Sequence, residues 1–416
     1  MRRMPPVDLL VRNARLRAAP DRLSAIAIAG GRIAAIGPDI SPEAQTVIDA
    51  GGSLVTESFV NPHLHLCKVW TLPMMQEAAL KDYHGAGMGK AMTAIELASA
   101  IKENYAEDWI AANARRAVAL AAAYGNLHIR AFADVDAKAR LEGVKALLRV
   151  RDEFRGIVHV QVVAFAQDGI LREPGAEALM REAMALGADV VGGIPWIEFT
   201  DKDAQAHIGI CFDLAARYGK DVSMLLDDAG DASLRTLEMM AVETIARGWQ
   251  GRALAHHCRA MALYPEPYLH RLTGTLRRAG VAVVSDPHTG PLHARVKELL
   301  ADGVTVCLGQ DDISDAYYPF GRNNMLEVAF LGAHLLWMMG RAELDTLYDL
   351  VTVAGAKAIN VADYGLAPGC TANLVVLGQQ DVPEALRFHA APRHVISHGR
   401  LVDQSAMLAR AQAPGA

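Results

Sequence analysis

Paired cysteines are missing from this 416-residue chain: its five (Cys67, Cys211, Cys258, Cys307, Cys370) are scattered singly, with no C-x-x-C. This spacing excludes a disulfide framework and a zinc ribbon and fits a reducing compartment, so a cytoplasmic location is expected. Lys/Arg runs longer than pairs such as Arg277-Arg278 are also missing, and the formal net charge is −6. Neither nucleic acid nor an anionic membrane finds an electrostatic footprint in such a chain. No apolar run is long enough to span a bilayer. The opening MRRMPPVDLLVRNARLR places prolines, an aspartate and arginines where a signal peptide needs an apolar core.

What remains is ordinary globular composition, 52% hydrophobic and 21% charged, in a chain long enough to bury a large core. Residues 7 to 55 read as short strands with turns: DLLVRNARL, AIAIAGGRIAAIG with Gly30-Gly31 as a hairpin turn, and TVIDAGGSLV. A matching stretch returns at the far end in ANLVVLG, HVISHG and RLV. The two ends are expected to build one β-sandwich, from residues 1–56 and 367–416.

Between them, apolar runs alternate with helical periods, the pattern of parallel strands with crossover helices. Eight runs are found: 58–66, 127–135, 158–166, 189–194, 221–228, 252–257, 281–286 and 304–312. No Gly-rich phosphate fingerprint follows any of them, which disfavours an open doubly wound sheet. The expectation is an α/β fold, a (β/α)8 TIM-type barrel over residues 57–366. Residues 67–109 delay the first helix and contain HGAGMGKAM; a mobile lid and an ordered surface excursion both suit this stretch.

Active sites of such barrels lie at the C-terminal ends of the strands. The polar residues there are His63 and His65, Gln167, Asp227 and Asp228, His257, Asp286 with His288, and Asp311 with Asp312. Residues two apart in a strand point to the same side, so His63 and His65 can share one cation. Asp311 and Asp312 end the last strand, beside the first, where a carboxylate can complete a metal site or take a proton from its water. Each residue also has a plainer reading. Asp-Asp suits a solvated turn, His257 a core histidine, and Gln167 a hydrogen bond at the barrel mouth. Cys67 and Cys258 are read as packing residues before any metal role, while Lys68 could touch a ligand.

VNPHLHL, AFAQDGI, ALGADVVGGIPWIEFT, AHHCRAM and GQDDISDAYYPFGRNNMLEVAFLGAHL together resemble the cytosine-deaminase-like branch of the amidohydrolase superfamily, over nearly the whole length. The resemblance implies one divalent metal ion, zinc or iron, on His63, His65 and Asp311. It also implies a Gln167 that reads the substrate's ring edge, a His257 that contacts the hydrolytic water, and Tyr317 over the substrate, with Asp312 in the shared motif. The implied reaction is hydrolysis of a C–N bond in a small nitrogen heterocycle, by deamination through a metal-bound hydroxide. Opening of a cyclic amide or loss of another leaving group is the alternative, and a non-catalytic barrel a third reading. A homo-oligomer is expected.

The fifth strand departs from that pattern. Relatives carry a metal-binding histidine and, three residues on, a proton-moving glutamate; MLLDDAG puts Leu225 and Asp228 at those places. Leucine cannot bind a metal. The site must therefore use fewer protein ligands, recruit His257, or bring in Asp227 or Asp228 by a local shift. The loop SDPHTGPLHARV looks short, which could bring His288 and His293 into the pocket.

Overall fold

A computed structural model describes residues 5–75 and 77–412. Eight all-parallel strands follow one another in chain order around a barrel: β6 (Phe59–Leu64), β7 (Asn126–Asp134), β8 (His159–Phe165), β9 (Val190–Gly193), β10 (Asp221–Leu226), β11 (Ala253–His257), β12 (Ala282–Ser285) and β13 (Val306–Leu308). Each coincides with one of the eight apolar runs. Closure is made at the C-terminal end, where the His65 amide donates to the Asp311 carbonyl at 2.8 Å and the Asp311 amide to the His63 carbonyl at 2.9 Å. The backbone that seals the barrel thus also carries the side chains of His63, His65 and Asp311.

Helices cover the barrel's outer face for the reasons their sequences suggest. In Asp201–Tyr218 the Thr200 side chain accepts from the Asp203 amide, and Gly219, at φ +65°, ends the helix in the left-handed region. Its inward stripe of Ala204, His207, Ile208, Cys211 and Ala215 is buried against the strands.

Preceding the barrel are β1 (Val7–Leu16), β2 (Ala19–Ala29), β3 (Arg32–Gly37), β4 (Ala44–Asp49) and β5 (Val55–Glu57); after it come β14 (Leu374–Val376), β15 (His394–Ser397) and β16 (Arg400–Leu401). They form two four-stranded sheets, ordered β3-β2-β1-β4 and β16-β15-β14-β5. Gly30 and Gly31, at φ +58° and +76°, make the tight turn between β2 and β3. Val11, Ile26 and Ile28 of the first sheet share one apolar cluster with Val55, Leu374, Val376 and Ile396 of the second. The last helix among the described residues, Gln404–Gln412, returns to the barrel, where Arg116 Nε donates to the Ala411 carbonyl.

The described residues of the segment after β6 cover the barrel mouth. Helices Glu77–His84 and Ala91–Ser99, with short 3-10 turns around them, lie across the mouth. Their underside (Tyr83, Met88, Ala91, Ala94, Ile95) packs on Phe132, Phe165, Ile194, Leu225 and Tyr317. The cover meets the loop after β10 at Gly230, where an added Cβ would stand 1.9 Å from the Gly87 carbonyl oxygen. Gly230→Ala should therefore push the cover off its seat, costing about 1–3 kcal/mol as an overpacked contact. Limited proteolysis checks this: cleavage within residues 80–104 should quicken in the variant while the barrel resists.

Candidate metal centre and active site

Three imidazoles and one carboxylate converge under the cover. Donor atoms of His63, His65, His257 and Asp311 all lie within 4.8 Å of one another, every residue buried. Asp311 Oδ1 is the hub, 3.0 Å from His63 Nε2, 3.7 Å from His65 Nε2 and 3.8 Å from His257 Nε2.

Local backbone explains how these side chains reach one point. Pro62 cannot donate to the ladder, and the β6–β7 register slips between Asn61 and Leu64, so the strand bulges immediately before the first histidine. His257 and Asp311 adopt φ +65° and +66°, a region that side chains other than glycine seldom occupy and that turns each side chain into the mouth. Gly309 is required beside them: an added Cβ would lie 2.4 Å from Asp286 Oδ1 and 2.8 Å from His63 Cβ.

Burial, reinforced by Lys68 and His63, holds His65 neutral, with its pKa well below the ordinary histidine value. Burial works against ionisation of Asp311 too, but the facing His257 and the hydrogen bond from His63 outweigh it and keep the carboxyl well below its usual range. For His257 burial is likewise outweighed, by Asp228 and Asp311, and its pKa rises.

The donor set fits a divalent metal. Neutral imidazoles with one carboxylate are the ligand chemistry of catalytic zinc and of non-haem iron. Beside the imidazoles, Asp228 and Asp311, both buried, share one guanidinium, Arg259, at 2.6 and 3.5 Å. Both oxygens of Asp286 lack a well-formed hydrogen bond among the described residues, although Oδ2 lies 3.1 Å from His257 Nδ1. That is the outer carboxylate–histidine pairing that orients metal-bound imidazoles.

A small chamber of about 20 Å³ adjoins the cluster, enough for about one water molecule. His65, His257, Asp311, Asp228, Asp312, Gln167, Tyr317, Leu225, Ile95, Ile194 and Tyr83 line it. Lys68 Nζ donates to Gln167 Oε1 at 2.7 Å, and since an ammonium only donates, this fixes the amide's orientation. Gln167 Nε2 then lies 3.2 Å from the Tyr317 hydroxyl. Burial, together with Asp311 and Asp315, raises the Asp312 carboxyl well above its ordinary value.

The loop carrying Gln167 is tied down by Glu198. Its carboxylate accepts from the amides of Ile170 (2.7 Å), Leu171 (3.1 Å) and Arg172 (2.9 Å) and from His207 Nδ1 at 2.7 Å. The Ile194 amide donates to His207 Nε2, which makes this the neutral tautomer protonated at Nδ1. Burial alone would raise the Glu198 carboxyl, but the bond from His207 and the amides of Ile170 and Leu171 outweigh it and lower it. A lowered folded-state pKa contributes stability above the ordinary carboxylate value, lost as pH falls through the folded value. Glu198→Gln should cost about 2 kcal/mol at pH 7. The difference between the two proteins in urea melts should begin to shrink as pH falls below the ordinary glutamate value of about 4.3.

The remaining sequence candidates fall outside the cluster. Asp227, at φ +49°, turns away and is held by Thr236 (2.6 Å) and the Tyr264 hydroxyl (2.6 Å), so of the two aspartates only Asp228 faces the chamber. His288 binds the Gln310 carbonyl and His293 the Ala294 carbonyl, and neither lines the chamber. Cys67 packs against Tyr105 and the Asp134 amide, and burial pushes both its thiol and that of Cys258 upward, away from reactivity.

Arg259, Thr289 and Tyr83 escaped the sequence reading. Arg259 stands two residues after His257 in AHHCRAM. An arginine just past a strand-end histidine, in a barrel whose carboxylates gather at that end, is the signal that was there to use.

A profile of the amidohydrolase family matches residues 46–403. By sequence the chain is 28% identical over 407 residues to the N-isopropylammelide isopropyl amidohydrolase of Pseudomonas sp. strain ADP, covering 95% of this chain and 97% of that protein. The fold is similar to the crystal structure of 5-methylcytosine deaminase from Klebsiella pneumoniae liganded with phosphonocytosine, with a TM-score of 0.87 and 32% identity over 94% of this chain and 97% of that one. It is also similar to N-isopropylammelide isopropylaminohydrolase from Burkholderia multivorans, with a TM-score of 0.83 and 29% identity over 95% and 98% of the two chains. The sequence and the fold thus have their counterpart in one group of hydrolases of non-peptide C–N bonds: this chain belongs to the amidohydrolase family.

Proposed function

We propose that the protein hydrolyses an exocyclic C–N bond of a small nitrogen heterocycle, releasing an amine, with one zinc or iron ion held by His63, His65, His257 and Asp311. The observation that carries this reading is the convergence of those four donors beside a chamber that also exposes Asp228 and Gln167. A divalent ion held there would supply a water that is nucleophilic at neutral pH and would stabilise charge developing on the ring.

The protein's own groups supply the rest. Gln167, oriented by Lys68, presents an amide to the ring edge, and Tyr317 and Asp312 border the ring's place. Asp228, its Oδ2 4.0 Å from His257 Nε2, is the proton carrier. It takes the proton as water oxygen bonds to the ring carbon and gives it to the departing nitrogen as the C–N bond breaks. His257 takes the ligand place that Leu225 cannot fill. The cover excludes bulk water, and with so little room below it, substrate entry requires the cover to lift.

The two relatives named for N-isopropylammelide favour a variant of this reading in which the leaving group is an alkylamine. The apolar wall of Leu225, Ile95 and Ile194 suits an alkyl substituent. A panel of amino- and alkylamino-substituted pyrimidines and triazines, assayed for ammonia and alkylamine with mass spectrometry for ring opening, separates these outcomes. Ammonia or alkylamine release supports the proposal. Ring opening alone, or no turnover by zinc- or iron-loaded protein, removes it.

A further inference from the structure

The chamber's polar wall is organised by a residue that does not line it. Arg259 is 1% exposed, and a guanidinium is retained in such a place only when its donors are spent on acceptors. Nη1 donates to Asp228 Oδ1 at 2.6 Å and to the Tyr83 hydroxyl at 2.6 Å; Nη2 donates to Thr289 Oγ1 at 2.5 Å and lies 3.5 Å from Asp311 Oδ2. Four segments meet on this one planar group: the cover, the end of β10, the loop after β12 and the end of β13.

The distribution over Asp311 is unequal in a useful way. Oδ2 lies 2.7 Å from the Thr289 hydroxyl, whose one proton the Asp286 carbonyl also approaches at 3.0 Å, and 3.5 Å from Arg259 Nη2, whereas Oδ1 faces the three imidazoles. A carboxylate held in this manner offers a metal one oxygen. On the other side, Asp228 has one oxygen pinned and the other turned toward His257, so its direction is set without its being used up. Lysine could not do this, because a single ammonium cannot span both carboxylates in a fixed plane.

We propose that Arg259 is the positioning residue of the site: with Thr289 it withholds the outer oxygen of Asp311 from the metal, making that ligand monodentate, and it fixes Asp228 beside the cluster while Tyr83 ties the arrangement to the cover. The inference rests on the metal-site reading above. It goes beyond it in assigning the outer shell that sets coordination number, a role that a packing arginine would not have.

Cobalt(II) is the probe, because its visible d–d bands weaken as coordination number rises, and its affinity is read by titration without any substrate. Wild type should bind one cobalt ion. Arg259→Lys should bind it at least about 10-fold more weakly, the usual scale of outer-shell effects, with weaker bands as Asp311 becomes bidentate. Thr289→Val removes the hydroxyl donor to Oδ2 and the acceptor of Arg259 Nη2 while keeping the guanidinium, should fold if the arginine variant does not, and should weaken the bands in the same sense. Wild-type affinity and spectrum in a folded Arg259→Lys, or in Thr289→Val where the former does not fold, overturn the clamp while leaving the metal site standing. Failure of the wild type to bind cobalt overturns the site itself, a distinct result.

Discussion

Asp311→Asn should abolish turnover, lowering kcat at least about 10³-fold on the best heterocycle of the panel, and should leave the purified protein without stoichiometric metal. The change is nearly isosteric, so the barrel seam, made by the Asp311 backbone with His63 and His65, stays closed. What is lost is the one anionic donor among four, and with it the charge that offsets the dication. Several kcal/mol of transition-state stabilisation are supplied by a metal in such a site, and each 1.36 kcal/mol is tenfold in rate. The variant should fold, since the Thr289 hydroxyl and the Arg259 guanidinium, now at Oδ2 of the aspartate, can still donate to an amide oxygen. Metal analysis and kcat on the same preparation check both halves. A fully metallated variant with near wild-type kcat would remove Asp311 from the centre.

The second large effect is a gain. Leu225→His should raise zinc affinity on the order of 10–100-fold, at least the scale on which outer-shell residues act. Leu225 lines the chamber with His65, His257 and Asp311, and parallel pairing sets it opposite His256 and its neighbour Leu226 opposite His257. A fifth protein donor then stands where the strand-five ligand is absent. The same change should destabilise the metal-free protein by about 1–3 kcal/mol, because an imidazole without a partner replaces a buried leucine. Thermal melts with and without zinc should therefore cross: the variant melts below wild type when stripped and above it when loaded. If loading raises both melting temperatures equally, Leu225 does not face the metal and the recruitment of His257 needs another explanation.

Much of this was readable in the sequence, for reasons that can be named. The eight strands were visible because both faces of a parallel barrel strand are buried, which leaves short apolar runs bounded by helical periods. His63, His65 and Asp311 were visible because they sit at ends of such runs, and period-two geometry joins the histidines. The resemblance put Asp228 at the proton carrier's place, but the reason Asp227 turns away was not readable. It lies in a left-handed backbone at Asp227 and in Thr236 and Tyr264, contacts that no local pattern encodes. Arg259 was missed for a similar reason. Its acceptors lie 31 and 52 residues away at Asp228 and Asp311, so its place just past His257 was the one local sign of its role. The stretch 67–109 left lid and surface excursion undivided because its Gly and Met content does not say what it packs on, whereas Tyr83 and Ile95 settle onto the mouth in the folded chain.

The most direct test is a crystal structure of zinc- or iron-loaded protein with anomalous data collected on both sides of the metal's absorption edge. A single peak within about 2.0–2.2 Å of His63, His65 and His257 nitrogens and of one Asp311 oxygen is the predicted result. A fully loaded protein whose peak lies elsewhere, or whose ion leaves His257 outside its ligand shell, would contradict the four-donor centre on which this account rests.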